Sequence, residues 1–145
     1  MEDKLKPFIK KLLKRDCITV SYEATIKEVA ALLAKKSIGA VPVTNENEEV
    51  IGIVSERDIV RNLNNPDVDI TNEKVAAIMT KSVISVPKAV SSSDLMEIMT
   101  ENKIRHVVII EDKELLGIVS IGDVVKRLIE KLEGEAEQLR SFINS

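Results

Sequence analysis

The chain repeats itself, and an internal repeat constrains the architecture before any single motif is read. In one register Ile18-Thr19-Val20 lies over Ile84-Ser85-Val86, and Ile38-Gly39-Ala40-Val41 lies over Ile104-Arg105-His106-Val107. With the register slipped by a single residue, the run from Glu49 to Val60 falls on the run from Glu114 to Val125. The slip sits among Asn45, Glu46, Asn47 and Glu48, a polar turn between apolar runs where a change of length costs little.

Each copy reads as the same string of elements. A short apolar segment (Ile18 to Val20; Val83 to Val86) precedes a stretch with helical period, carried by Ile26, Val29, Ala30 and Leu33 and by Leu95, Ile98 and Met99. Two β-rich runs follow with hairpin-like links: Ala40 to Val43 with Val50 to Val54, and His106 to Ile110 with Leu115 to Val119. A second helix comes next, marked by Ile59, Val60 and Leu63 in the first copy and by Val124, Val125, Leu128 and Ile129 in the second. The order is β-α-β-β-α, twice. A unit of about 50 residues buries too little surface to be comfortable alone. The expected fold is therefore α+β, with the two repeats packed about a pseudo-twofold axis.

The boundaries this predicts are an amphipathic N-terminal helix over 1–15, a first repeat over 16–65, a linker with a short helix over 66–80, a second repeat over 81–132 and a tail over 133–145. The first segment sets six Lys/Arg and two acids against a stripe of Leu5, Phe8, Ile9, Leu12 and Leu13. Docking on the repeats or on a second subunit is its expected role, ahead of a membrane surface. Gly134 is expected to break the last helix before a segment carrying Leu139, Phe142 and Ile143.

Composition narrows the function. Phe8, Tyr22 and Phe142 are the whole aromatic complement, 2% of 145 residues, so the interior must be aliphatic and base-stacking platforms are nearly excluded. Lys plus Arg number 21 against 24 Asp plus Glu, and a net charge of -3 gives no cationic field for a phosphate backbone. Nucleic acid is thus not the expected partner. One cysteine, Cys17, and one histidine, His106, exclude an internal disulfide and a Cys/His zinc cage, which fits a reducing, cytoplasmic setting. No apolar run approaches the roughly 20 residues needed to span a bilayer, so a soluble protein is expected.

The most informative words are Gly52-Ile53-Val54-Ser55-Glu56-Arg57-Asp58 and Gly117-Ile118-Val119-Ser120-Ile121-Gly122-Asp123. Both put a hydroxyl at the end of a strand and a carboxylate three residues later, at a helix start. Free N–H groups and the positive dipole end there favour an anion, and a carboxylate suits the two hydroxyls of a ribose. The same spacing is also a capping box, with Ser at the N-cap and the acid at the third helical position, which requires no ligand. Both readings stand on spacing.

The strand phrases Ile-Thr-Val-Ser and Ile-Ser-Val-Pro, each followed by a hairpin ending in Gly-Ile-Val-Ser-x-x-Asp, resemble cystathionine beta-synthase (CBS) domains in tandem, the Bateman module. The resemblance spans roughly residues 17 to 131. It implies a module that regulates something else and whose two clefts bind adenosine-containing ligands: AMP, ADP, ATP or S-adenosylmethionine. Such a nucleotide would be a regulatory ligand, with no catalytic cofactor and no metal. It implies phosphate contacts for Ser55 and Ser120, ribose contacts for Asp58 and Asp123, and adenine-side positions at Thr19 and Ser85. Arg105 and His106 match family positions that reach phosphate, without saying in which cleft. Gly122 would admit a phosphate close to the helix start, whereas Arg57 could cover or clamp it; simple turn permissiveness is the other role open to Gly122.

Three functions follow from this reading. The first is a stand-alone sensor that binds an adenosine nucleotide, is no enzyme, and signals to a separate regulated protein. The second is a dimerisation or docking module without nucleotide, and the third is a nucleic-acid binder using the basic N-terminal segment. No nucleophile elbow, P-loop or zinc-site spacing is present to suggest catalysis. A homodimer is expected, with apolar material for it at Ile59, Leu63, Leu128 and the terminal segments.

Overall fold

The computed structural model describes residues 17–144, and the amphipathic segment expected over 1–15 lies outside them. Among the described residues the chain divides into two compact units, one over Cys17–Ile84 and one beginning at Ser85. Each contains one copy of the repeat and one three-stranded sheet, an α+β arrangement.

The first unit runs β1 (Val20–Ser21), α1 (Ile26–Lys36), β2 (Ala40–Thr44), β3 (Val50–Ser55) and α2 (Glu56–Asn62). Its sheet has the order β1-β2-β3, with β1 parallel to β2 and β2 antiparallel to β3. Thr25 starts α1 by accepting the Glu28 N–H at 3.1 Å, and Ser37 ends it in the left-handed region at φ 53°. Ile26, Val29 and Leu33, at helical spacing, bury one face of α1 against Val41, Val43 and Val54 of the sheet.

The linker expected over 66–80 is built into this unit. Val75 and Ile78, on and beside a short 3-10 turn (Val75–Ala77), join its core. Ile26 N–H donates to the Glu73 carbonyl and Val75 N–H to the Ala24 carbonyl, while Thr80 exchanges two hydrogen bonds with Ile53 of β3. Gly52 makes that strap possible: a Cβ there would stand 2.5 Å from the Met79 sulfur and 3.1 Å from the Thr80 carbonyl oxygen.

The second unit repeats the plan with β4 (Ser85–Val86), α3 (Ser92–Asn102), β5 (His106–Glu111), β6 (Glu114–Ser120) and α4 (Ile121–Asn144), and a sheet in the order β4-β5-β6. Ser91 caps α3 by accepting the Asp94 N–H at 3.0 Å, and Lys103 closes it at φ 54°, as Ser37 closes α1. Leu95 and Met99 of α3 are buried, as are Val107, Val108 and Ile109 of β5, Val119 of β6 and Val124 of α4. Met99 fills core, as a flexible apolar side chain does.

The two hairpins explain the slipped register. In the second, Asp112 and Lys113 alone link the strands, at φ 50° and 68°, the left-handed pair of a tight type I′ turn. In the first the link is longer: Asn45 Oδ1 accepts the N–H groups of Asn47 and Glu49, and Glu48 takes the positive φ of 60°.

Two sequence expectations are corrected. The first strand is limited to Val20–Ser21, so Thr19 precedes it. The expected break at Gly134 is absent, because α4 continues as one 24-residue helix through Gly134. One glycine costs a helix only about 1 kcal/mol, and the Glu, Ala, Gln and Leu around it are strong helix formers. Among the described residues no helix is long and apolar enough to cross a membrane.

Candidate functional site

In both units the strand-to-helix junction holds a complete capping box. Asp58 Oδ2 accepts from the Ser55 N–H at 2.8 Å and from the Ser55 hydroxyl at 3.0 Å, while Ser55 Oγ accepts the Asp58 N–H at 3.2 Å. The second copy matches: Asp123 Oδ2 accepts from the Ser120 N–H at 3.1 Å and its hydroxyl at 2.9 Å, and Ser120 Oγ accepts the Asp123 N–H at 3.1 Å. The helix-cap reading of this spacing is thus realised twice, yet the box uses a single carboxylate oxygen. Both serine–aspartate bonds at Asp58 converge on Oδ2, so the cap and a further hydroxyl acceptor at Oδ1 are compatible.

The helix-start N–H groups are less open than the sequence reading supposes. Glu56 N–H donates to the Gly39 carbonyl at 2.9 Å, and Ile121 N–H to the Arg105 carbonyl at 2.8 Å. With the third N–H of each helix on its serine oxygen, the second remains, belonging to Arg57 in one unit and Gly122 in the other. A chain-distant carbonyl closing the first turn leaves no signature in local spacing, which is why the sequence did not reveal it.

Gly122 has no backbone reason to be glycine. It does not take a positive φ, and a Cβ there would meet nothing nearer than the Ser120 hydroxyl oxygen at 3.6 Å, an ordinary contact. Turn permissiveness is therefore removed as its role.

Sheet register collects the remaining residues. Ala40 pairs with Ser55 and Val20 with Val43, so Thr19, Ser55 and the start of α2 belong to one end of the first sheet. His106 pairs with Ser120 and Ser85 with Val108, which gathers Ser85, Arg105, His106, Ser120, Gly122 and Asp123 at the matching end of the second. Arg105 is exposed and His106 half-buried, while Thr19, Arg57, Ser85 and Gly122 are exposed and both boxes half-buried. The asymmetry noted in sequence persists: a cationic and an imidazole side chain border the second box where Gly39 and Ala40 border the first.

A groove of about 490 Å³ lies between α1 and α2 of the first unit, lined chiefly by Ala30, Leu33, Ala34, Ile38, Ile59 and Val60 and reaching Gly39 and Glu56 at the start of α2. It takes none of the predicted site residues, and its only sequence trace is the small pair Ala30 and Ala34 one helical turn apart. Burial pushes the Cys17 thiol above its ordinary pKa, which disfavours the reactive thiolate. Among the described residues no cluster of three or more His, Cys, Asp or Glu side chains could hold a metal ion.

Comparison with known proteins follows the same division into two copies. The family described as CBS domain matches residues 9–65 and again residues 75–130. A CBS-domain containing protein from Agrobacterium tumefaciens has a solved structure that is 40% identical, with a TM-score of 0.76 over 82% of this chain and 91% of that one. A CBS domain protein from Pyrobaculum aerophilum, complexed with AMP, is 32% identical with a TM-score of 0.71, covering 79% of this chain and 88% of that one. The CBS domain pair of protein MJ0100, in complex with 5-methylthioadenosine and S-adenosyl-L-methionine, is 25% identical with a TM-score of 0.75, covering 85% and 96%. The chain spans 60%, 37% and 66% of the length of three curated relatives, the first a mitochondrial protein of Arabidopsis thaliana. Matched twice along its length by one family, and carrying that repeat's strand-to-helix box in each copy, the chain belongs to the CBS domain family.

Proposed function

We propose that this chain is a regulatory module that binds an adenosine-containing nucleotide at one or both of its serine–aspartate junctions and is no enzyme. The observation that carries the reading is the division of labour at the Asp58 carboxylate, whose Oδ2 holds both serine bonds and whose Oδ1 is left to accept from a ribose hydroxyl. In the second copy Ser120, the Gly122 N–H, Arg105 and His106 form the phosphate side, with Asp123 on the ribose. In the first, Ser55 and Arg57 take the phosphate side. Thr19 and Ser85 are assigned to the adenine side. Relatives solved with AMP, and with S-adenosyl-L-methionine and 5-methylthioadenosine, support the adenosine class. The output is regulation of a separate protein, and the active form is a cytoplasmic homodimer.

A second reading, a docking or dimerisation module without nucleotide, is favoured by the completeness of both caps within the chain itself and by exposed apolar side chains such as Val60 and Leu63. Melting curves of the full chain with AMP, ADP, ATP, S-adenosylmethionine and adenosine separate the two. A ligand at 100 times its dissociation constant adds about 2.7 kcal/mol to stability, a readily measured shift. Absence of any shift across that panel leaves the docking reading.

A further inference from the structure

The unbroken helix α4 carries an apolar seam that the fold of its own unit does not cover. Val125, Ile129, Leu132, Ala136, Leu139 and Ile143 follow one another at spacings that alternate four and three residues. That is the 3.5-residue period of a coiled coil rather than the broader stripe of a helix lying on a globular core. Ile129 is 49% exposed, Leu132 64%, Leu139 61% and Ile143 69%. At 1.5 Å per residue the helix is about 36 Å long, and beyond Leu132 it is exposed on every side. A projecting helical segment of that length is marginal in water unless its apolar face is packed.

We infer that α4 forms a parallel two-stranded coiled coil with α4 of a second copy of this chain along the seam Val125–Ile143. The inference rests on the homodimer reading above and names its surface. Residue types favour two strands in parallel: Ile129 and Ile143 take the a positions with Ala136 between them, and Leu132 and Leu139 take d below Val125. Charge decides the orientation. In parallel register Glu135, at g, faces Arg140, at e, of the other copy, and symmetry makes the pair twice. Arg140 is available for it, since its Nε makes only a long 3.4 Å contact to the Ala136 carbonyl of its own helix. At full overlap an antiparallel pair would set Glu133 against Glu133, Glu135 against Glu135 and Lys126 against Arg140, like charges at every charged flanking contact, with Leu128 against Phe142 the one apolar pair. Gly134 falls at f, the outermost position, where nothing lies within 4 Å of an added Cβ.

The test uses the full chain with Cys17→Ser, so that one added thiol is diagnostic. Ile143→Cys should oxidise to a disulfide-linked dimer, because parallel strands bring the two 143 positions together and antiparallel strands set them a helix length apart. In sedimentation equilibrium, Leu139→Glu should weaken self-association at least about a hundredfold by placing two carboxylates in the seam. Glu135→Arg should weaken it several-fold, and Glu135→Arg with Arg140→Glu should restore it. Positions 135, 139, 140 and 143 are exposed, and Cys17→Ser exchanges one small side chain for another of nearly the same shape at a half-buried position, so the fold survives the substitutions. A dimer unaffected by Leu139→Glu, with no cross-link at 143, overturns the coiled coil while leaving the homodimer intact. A wild-type mass that stays near 16.1 kDa at micromolar concentration overturns both.

Discussion

Replacing Gly122 with alanine should move stability and nucleotide affinity in opposite directions. Gly122 is the second residue of α4, its φ is not positive, and an added Cβ clears its nearest neighbour, the Ser120 oxygen, by 3.6 Å. The protein therefore gains from the methyl what a helix gains when glycine becomes alanine, about 0.5 to 1 kcal/mol, chiefly by restricting the unfolded chain. For a chain of this size that raises the melting temperature by roughly 2 to 4 °C. A phosphate drawn to the Gly122 N–H meets the methyl instead. Losing that charge-assisted hydrogen bond should weaken AMP binding at least about tenfold, ~1.4 kcal/mol. Adenosine, which has no phosphate, provides the internal control and should bind the variant as it binds the parent. Calorimetric titration with AMP and adenosine, beside unliganded melting curves, reads both effects. Unchanged AMP affinity would refute phosphate approach at Gly122, and a lower melting temperature would show that the backbone there needs glycine after all.

Asp58→Asn and Asp123→Asn keep an oxygen for the serine N–H and hydroxyl, so each should alter unliganded stability by less than about 1 kcal/mol in denaturant melts. The same substitutions should weaken nucleotide binding by ~1.5 to 3 kcal/mol, and unchanged affinity in both would reduce the two boxes to helix caps. Gly52→Ala should destabilise by roughly 1 to 3 kcal/mol, because Thr80, whose carbonyl oxygen lies 3.1 Å from the new Cβ, is held to β3 by two hydrogen bonds, one through that carbonyl and one through its N–H; a neutral urea midpoint would show that the strap can lift freely. Lys113→Gly should stabilise by about 0.5 to 1 kcal/mol, since Lys113 holds φ 68° in a two-residue hairpin that favours Asp-Gly, and a loss of stability would contradict the turn assignment.

What the sequence disclosed was what repeats or lies within one turn of chain. The duplicated words gave the order of elements, both hairpins and both Ser-x-x-Asp boxes, because capping is a contact between residues three apart. Even the slipped register pointed to the right place, the Asn45–Glu49 loop. Contacts between chain-distant residues were hidden. Nothing in Val75-Ala76-Ala77 announces that the strap following it will bond to Ile53, nor does Gly39 announce that its carbonyl will take the first N–H of α2. Local propensity also misled at Gly134, where the helix persists because its neighbours favour it. The two readings of Ser55 and Asp58 were inseparable by spacing, and the geometry shows why: the cap occupies one oxygen and leaves the other.

Isothermal titration of the full chain with AMP, and separately with adenosine, shows whether the serine–aspartate junctions read an adenosine nucleotide through its phosphate. AMP should bind saturably and adenosine at least about tenfold more weakly, the worth of one charge-assisted contact. Adenosine binding as tightly as AMP, or no saturable heat with either, would contradict that reading.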